Sequence, residues 1–300
     1  MSSMPQKPQP DWDPRSDAVL GDQISAYDAM RGRCPVAYSD YLGWSLFRHE
    51  DVVRALDDHE TFSSAVSSHL SVPSGMDPPR HTAYRRLIER HFEPGRVAAF
   101  EPLCRTISAD LVAGLDKGAE IDLVPQLAQL FAVRIQCAFL GWPDSLHAPL
   151  LRWVRRNHEA TLARDNAAMA AIALEFDGYI SDLLEVRRAA GAAAPDDITT
   201  DLLRERIGDR PLSHEEIVSI LRNWTGGKLG PIPACVGILA HHLAQDRQLQ
   251  RRLREEPGLL PAAIDEILRL HAPLIANRRV ATRPVEIGGR SIAAGERITL

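Results

Sequence analysis

Apolar residues follow a period of two near the start of the chain and a period near 3.6 along most of the rest. The alternating stretch CPVAYSDYLGWSLFR, residues 34–48, predicts a β-hairpin that turns near residues 40–43. Helical spacing predicts helices over residues 50–58, 81–91, 96–115, 125–140, 145–163, 166–188 and 197–206. Residues 59–80 and the segment RRAAGAAAPDD, residues 187–197, predict surface loops.

The longest helical pattern runs through residues 213–245. It begins at Ser213 and Glu216, which have the spacing of a capping box. As one helix it would be roughly 50 Å long at 1.5 Å per residue. Its centre, GGKLGPIP at residues 226–233, carries three glycines and two prolines. An interior proline costs about 3 kcal/mol or more, so this octapeptide is expected to disturb the helix.

The end of the chain changes from helix to strand. EPGLLPAAIDEILRLHAP, residues 256–273, predicts a helix with Pro261 in its first turn and Pro273 beyond its end. PVEIGGRSIAAGERITL then predicts two strands joined by a Gly-Gly turn and a third strand that begins at Arg297. Because this strand stops at its fourth residue, we expect that sequence is missing. The balance predicts an α+β fold that is mostly α, with small sheets near both ends.

Composition limits the class of protein. The chain has 300 residues, 45% of them hydrophobic, and a net charge of -5. The acidic balance argues against a nucleic-acid partner. The first residues lack the apolar core of a signal peptide, and no window approaches the ~18 apolar residues of a membrane span. Four scattered cysteines predict reduced thiols in a cytoplasmic protein. We expect residues 1–10 to be a disordered tail and residues 11–300 to form one domain.

Three groups of residues are candidates for chemistry. His81 and Arg85 are four residues apart after Asp-Pro-Pro, so one helix face could present two donors to a carboxylate or phosphate. Spacing alone favours an ordinary solvated face. Glu266 and Arg269 can pair on a helix, and their apolar neighbours favour a partly buried structural pair, although ExxR occurs at two other places. Arg279, which follows Arg278, would by itself be part of an exposed basic pair.

Taken in order, these residues resemble the cytochrome P450 superfamily, specifically its soluble bacterial members. The stretches that carry the resemblance are TFSSAVS (61–67), MDPPRHTAYRRLIERHFEPGRVAAFEP (76–102), PLSHEEI (211–217), LRNWTGG (221–227), LAQDRQLQRRLREEPGLLPAAIDEILRLHAPL (243–274) and RRVATRPVEIGGRSIAAGERI (278–298). It extends from about residue 11 to the last residue. Its strength lies in the order and spacing of the elements, since no single motif carries it.

The resemblance implies a P450-like fold with a long central helix and small β-sheets, without the C-terminal haem-ligand portion. It implies haem as the cofactor, with His81, Arg85 and Arg279 as donors to the haem propionates, and Glu266 and Arg269 as the structural ExxR pair. Residues 65–80, 221–226 and 274–277 are expected to line the substrate pocket. The implied partners are a small apolar organic substrate and an electron donor, either a ferredoxin or a flavin and iron–sulfur reductase. No nucleic acid or membrane partner is implied.

The chain departs from the family at the iron ligand. In the family a cysteine thiolate, in the pattern Phe-x-x-Gly-x-x-x-Cys-x-Gly, holds the haem iron well beyond the C-terminal hairpin and favours O–O cleavage. This sequence ends before that loop, and Cys34, Cys104, Cys137 and Cys235 lack that setting. No metal ligand is therefore assigned, and roughly the last quarter of a family member is expected to be absent.

The chain also departs from the family at the oxygen-binding part of the central helix. Gly226 and Gly227 match the family's glycines, and Thr225 is the nearest hydroxyl. The family then has an acid and a hydroxyl that relay protons to bound oxygen. Here the following residues are Lys228, Leu229, Gly230 and Pro231, so no intact catalytic residue is assigned.

Three functions remain open. The first is a haem-thiolate monooxygenase family member, which uses O2 and NAD(P)H and is inactive alone because the ligand loop is missing. The second is a non-catalytic remnant that binds at most an apolar small molecule or, weakly, haem. The third, a helical interaction protein, explains the helices and leaves the ordered matches unexplained.

Overall fold

The computed structural model describes residues 8–116 and 118–300. Residues 1–7 of the predicted tail lie outside the described residues, and residues 8–10 have no regular secondary structure. Within the described ranges, no helix is both long enough and apolar enough to cross a bilayer.

Helices make up more than half of the described chain. In chain order they are α1 (Asp17–Gly21), α2 (Gln23–Arg33), α3 (His49–Asp57), α4 (Arg80–Glu89), α5 (Pro94–Ala113), α6 (Gln129–Leu140), α7 (His147–Ala163), α8 (Asn166–Ala190), α9 (Ile198–Arg204), α10 (His214–Leu229), α11 (Pro231–Gln245), α12 (Arg247–Glu255) and α13 (Leu260–His271). A π-helical turn at Val124–Ala128 leads directly into α6. Each helix predicted from apolar spacing is present with its ends shifted by a few residues, except the helix over residues 213–245, which is divided in two.

The strands are short and lie mostly near the two ends of the chain. They are β1 (Val36–Ser39), β2 (Gly43–Leu46), β3 (Phe62–Ser63), β4 (Arg206–Ile207), β5 (Arg210–Pro211), β6 (Arg278–Ala281), β7 (Val285–Ile287), β8 (Arg290–Ile292) and β9 (Arg297–Thr299). Both predicted hairpins are confirmed, as β1–β2 and β7–β8. The predicted α+β fold, mostly α, is also confirmed.

The chain divides into two compact units. The first contains the described residues up to Thr82 together with Ile275–Leu300, and the second contains Ala83–Leu274. The predicted single domain over residues 11–300 stays a prediction.

The first unit is built around a five-stranded sheet with the order β1-β2-β9-β6-β3. β2 and β9 are parallel, and the other neighbours are antiparallel. The side chains that form its core are Val36, Tyr38, Trp44, Leu46, Ala55, Phe62, Ala281, Ile287, Ile292 and Ile298. The sheet therefore joins the beginning of the chain to its end and fixes the position of β6, which carries Arg279.

The β7–β8 hairpin depends on its two glycines. Gly288 and Gly289 have φ values of 56° and 75°, which a two-residue type I′ turn requires at both positions. A Cβ at Gly288 would also come within 2.9 Å of the Val36 side chain. Both conformation and space therefore favour glycine in this turn.

The second unit is a helical assembly with α6 near its centre. α6 packs against α5, α7 and α10, and it buries Ala132, Val133, Cys137 and Leu140 among others. α8 packs against α7 and α10 with a buried stripe at helical spacing: Ile172, Phe176, Ile180 and Leu184. Burial of these stripes provides the main hydrophobic stabilisation of the unit.

The predicted central helix is divided at one residue. α10 ends at Leu229, Gly230 has helical dihedral angles of -92° and -57°, and α11 begins at Pro231. Pro231 and Pro233 thus occupy the first turn of a new helix, where a missing N–H leaves no intrahelical hydrogen bond unmade. The chain avoids the cost of two interior prolines by restarting the helix.

The predicted flexible loop over residues 187–197 is partly wrong. α8 continues through Ala190, and a short 3-10 turn follows it. The Arg187 guanidinium lies 2.6 Å from the Asp197 carboxylate, and both side chains are nearly buried. The same guanidinium donates to the backbone carbonyl of Gly141. The alanine-rich composition predicted flexibility, but an ion pair holds the two ends of this segment together.

Candidate functional site

The start of α4 is held by one carboxylate. Asp77 accepts hydrogen bonds from the Ser63 hydroxyl and from the backbone N–H of Ser64, the latter at 2.8 Å. Its own carbonyl accepts from the N–H of His81 at 3.0 Å. Asp77 therefore ties β3 to the first turn of α4 within the first unit, and this turn carries His81.

His81 and Arg85 are one turn apart on α4, as predicted. The His81 imidazole is partly exposed, and no hydrogen bond to it is present among the described residues. Arg85 is exposed and donates to Glu89 at 2.8 Å, one turn further along. The two side chains are available donors, and Arg85 is balanced by an exchangeable surface ion pair.

Arg279 lies in β6, next to β9 in the sheet. Its guanidinium donates to the Arg278 carbonyl at 2.8 Å and more weakly to Asn277 Oδ1 at 3.4 Å. Burial lowers the pKa of this guanidinium, and the negative charge of Asp77 partly opposes that effect. Within the described residues, no carboxylate lies within 4.0 Å of it. Arg279 is thus a partly buried cation held mainly by neutral acceptors, which suits an anionic ligand.

Glu266 and Arg269 form the predicted pair on α13. Arg269 Nε lies 2.7 Å from Glu266 Oε2, and Nη2 lies 2.8 Å from Oε1. The expectation that the pair is partly buried is wrong, since the side chains are 66% and 58% exposed. Ile267 is the buried residue of this helix. Successive residues point about 100° apart on a helix, so an apolar neighbour does not bury the residue beside it.

The glycines of the predicted oxygen-binding region leave one face of α10 open. A Cβ added at Gly227 or Gly230 would meet no atom within 4 Å, and one at Gly226 would only touch Trp153 at 3.9 Å. Lys228 is exposed. Thr225 instead points into the core, where its hydroxyl is buried without a hydrogen-bond partner among the described residues. The predicted hydroxyl and the open glycines therefore lie on different sides of the helix.

The remaining predicted pocket residues include two strongly exposed apolar side chains, Leu274 at 68% and Ile275 at 53%. Their predicted role in lining a substrate pocket stays a prediction.

A partly buried network not foreseen from the sequence anchors the start of α10. Ser213 and Glu216 form the predicted capping box. Glu216 also accepts from Arg210 at 2.6 and 2.8 Å and from the Tyr84 hydroxyl. These hydrogen bonds, above all those from Arg210, lower the pKa of Glu216 to about 2. The sequence predicted only the capping box, because Tyr84 lies 132 positions away from Glu216.

In this family a bound haem needs donors for its carboxylates and a cysteine thiolate for its iron. Arg279, His81 and Arg85 can donate to carboxylates. All four cysteines are free. Burial raises the pKa of the Cys137 thiol to about 12, and it also raises the pKa of Cys104 and Cys235. Cys34 lies between α2 and β1, with its thiol near the Val36 carbonyl. In this family the haem ligand is a cysteine thiolate. Burial disfavours the thiolate at Cys104, Cys137 and Cys235, while the Cys34 sulfur lies near the guanidinium of Arg290.

Comparison with protein-family models gives a match to the model described as Cytochrome P450, over residues 238–300. Among curated relatives, the erythromycin C-12 hydroxylase of Saccharopolyspora erythraea is 31% identical over 293 residues, which cover 92% of this chain and 72% of that protein. The cyclomarin C epoxidase CymV of Salinispora arenicola is 26% identical over 86% of this chain and 68% of its own length.

Solved structures give the same likeness. A mutant of P450 EryK in complex with erythromycin B has a TM-score of 0.83 and 26% identity, covering 94% of this chain and 74% of that one. The ligand-free cytochrome P450 TbtJ1 has a TM-score of 0.79 and 29% identity over 94% of this chain and 75% of that one. The likeness therefore includes both the helical and the sheet-containing parts of the chain.

Proposed function

The chain belongs to the cytochrome P450 family, and we propose that its site derives from haem-thiolate monooxygenase chemistry on a small apolar organic substrate. In that chemistry a bound haem supplies oxygen activation, with electrons from NAD(P)H delivered by a ferredoxin or by a flavin and iron–sulfur reductase. The relatives named above, a hydroxylase and an epoxidase, support the reaction class. The residues of this chain determine which parts of that reaction machinery are present.

Arg279 carries the proposal for haem binding. It is a partly buried guanidinium whose described acceptors are neutral oxygens, so a propionate would give it a charge-assisted hydrogen bond. We propose that Arg279 and His81 bind haem carboxylates and that Arg85 does so by exchanging its surface partner Glu89. Glu266 and Arg269 have no direct part in this binding and brace α13.

The open face of α10 supports the proposed position of the oxygen groove. Gly226 and Gly227 leave the backbone accessible, which allows a ligand to approach closely. Lys228 has no hydrogen-bond acceptor in its charged form, Gly230 has no side chain, and Pro231 has no hydroxyl. The Thr225 hydroxyl faces the core. We therefore propose that this helix does not relay protons as the family's acid and hydroxyl do.

We further propose that the 300-residue chain alone does not carry out the family reaction. Two features support this: burial disfavours the thiolate at three of the four cysteines, and the acid and hydroxyl of the family's proton relay are replaced here by Lys228 and Pro231. The chain would then bind haem through the carboxylates of the haem, and no thiolate would bind the iron.

A second candidate function is non-catalytic binding of an apolar small molecule. One observation favours it: a partly open cavity of about 200 Å³ lies in the second unit, lined by Leu111, Val112, Leu127, Phe131 and Val236 together with Ser108. Such a cavity is large enough for a small hydrocarbon or aromatic ring.

Haem titration with a matched arginine pair tests the proposal. Arg279→Ala should weaken haem affinity by about 10- to 100-fold, since a charge-assisted hydrogen bond contributes roughly 1.5–3 kcal/mol. Arg278→Ala, which removes the neighbouring exposed cation, should leave affinity within about twofold of wild type. Soret absorbance during titration measures both. Equal affinity for the two variants contradicts carboxylate recognition by Arg279 and favours binding in an apolar cavity.

A further inference from the structure

Two histidines on adjacent helices of the second unit come together at the surface. His242 lies in the last turn of α11 and His271 is the last residue of α13, and these helices pack against each other. His242 Nδ1 lies 3.2 Å from His271 Nε2, and the ring centroids are 5.4 Å apart. His271 is exposed and His242 is partly exposed, so solvent ions can reach the pair.

The separation of the two nitrogens matches the bite of a metal chelate. Imidazole nitrogen binds zinc at about 2.0–2.1 Å in a tetrahedral site, which places two such nitrogens about 3.3 Å apart. A right-angled arrangement, as in square-planar copper or nickel sites, places them about 2.9 Å apart. The distance of 3.2 Å falls within this interval. One cation could therefore bind both nitrogens with little movement of either helix.

We propose that His242 and His271 form a two-imidazole site for a divalent transition metal of the class that prefers nitrogen ligands, namely Zn²⁺, Ni²⁺ or Cu²⁺. In the part of the chain that the structure describes, no group of three or more His, Cys, Asp or Glu side chains could hold a metal. Water therefore completes the coordination. This site is independent of the haem-binding proposal, because it uses none of those residues.

A metal at this position would join the ends of two helices. His271 is followed by Ala272, which has φ of 32°, a value that a non-glycine residue adopts only when its surroundings impose it. A ligand on His271 would fix the end of α13 just before that residue. Because α13 also carries Glu266 and Arg269, the metal would act as a clamp on the helix that holds this pair.

Without metal, the same distance corresponds to a hydrogen bond in which one neutral imidazole donates to the other. Direct binding measurements separate the two cases, since a hydrogen-bonded pair on its own predicts no stronger binding than a single surface histidine.

The experiment is calorimetric titration of the full 300-residue chain with Zn²⁺ alone. His242→Gln and His271→Gln should each weaken the tightest binding event by at least about 10-fold, because loss of a direct ligand exceeds the loss of an outer-shell partner. His241→Gln is the matched control. His241 precedes His242 on α11, and its ring nitrogen lies 3.1 Å from the side-chain amide of Gln245, one turn further along. The variant should therefore bind Zn²⁺ like wild type.

Electron spin echo measurements on the Cu²⁺-loaded wild-type chain count the bound imidazoles, so the main result does not depend on the folding of a variant. The proposal predicts two in wild type and one in each of the two single variants, with unchanged circular dichroism. It is overturned if wild type shows one imidazole, if both variants retain wild-type affinity, or if His241→Gln loses the binding event.

Discussion

α10 and α11 are nearly equal in length and opposite in burial. α10 has 16 residues and buries nine of them, including Ile217, Ile220 and Leu221. α11 has 15 residues, is the more apolar of the two, and buries only Pro233 among its described side chains. Apolar composition therefore does not decide which half of the central helical region forms the core.

The difference follows from what surrounds each helix. α10 begins at a satisfied polar network and lies against α6 and α8. α11 packs against α13, α6 and the π-helical turn, which leaves most of its apolar side chains half exposed. Half-exposed apolar surface is typical of a region that binds a ligand or another surface. Most of the buried side chains of this region thus belong to α10, and α11 keeps apolar surface partly exposed.

The largest expected effect comes from a matched isoleucine pair. Ile220→Ala in α10 removes a fully buried side chain and should lower the free energy of unfolding by about 2–5 kcal/mol. Ile238→Ala in half-exposed α11 should cost less than about 1.5 kcal/mol, since little cavity forms. Urea denaturation compares them. Equal losses would mean that α11 is as well packed as α10.

The next effect concerns the charge that anchors α10. Glu216→Gln should lower the free energy of unfolding at neutral pH by about 1–3 kcal/mol, because charge-assisted hydrogen bonds from Arg210 are weakened. Urea midpoints measure the change, and Glu255→Gln, at an exposed position, should have little effect.

The same substitution should change the response to acid. The pKa of Glu216 is lowered from 4.5 to about 2 in the folded chain, so its stabilisation is complete above the higher value. It is lost as pH falls towards the lower value. Wild type should therefore lose stability between about pH 5 and pH 2 more steeply than Glu216→Gln. Parallel curves for the two proteins would show that Glu216 is not the group responsible.

The smallest effect has the opposite sign. Gly227→Ala adds a methyl group in a helix interior where no atom lies within 4 Å, so it should stabilise the free chain by about 0.5–1 kcal/mol. If the glycine is kept for close approach of a ligand, the variant should bind haem more weakly. Thermal unfolding and haem titration measure the two effects, and a variant that gains stability without losing affinity contradicts that role.

Local features of the fold were predictable from the sequence. The capping box at Ser213 and Glu216, the Gly-Gly hairpin and the helical stripes each depend on residues close together in the chain. The division of the central helix at Gly230 was only partly visible. The prolines indicated a disturbance, and restarting the helix at Pro231 removed most of its cost.

Features that depend on distant partners were not predictable. Tyr84 donates a hydrogen bond to Glu216, which lies 132 positions away, and no local sequence pattern predicts this contact. The Glu266–Arg269 pair was identified, while its exposure depends on which helix face meets α11. The acceptors of Arg279 are its sequence neighbours Asn277 and Arg278, while the burial of its guanidinium depends on the tertiary structure. Sequence patterns identify donors and acceptors, and tertiary structure decides which of them remain available.

The spectrum of the reduced, CO-bound chain after reconstitution with haem tests the central claim most directly. We propose that these 300 residues bind haem at its carboxylates and supply no thiolate to the iron. The account predicts a Soret band at a wavelength different from that of thiolate-ligated, CO-bound haem. A thiolate-type band that disappears in a variant of one of the four cysteines, such as Cys235→Ser, would contradict it.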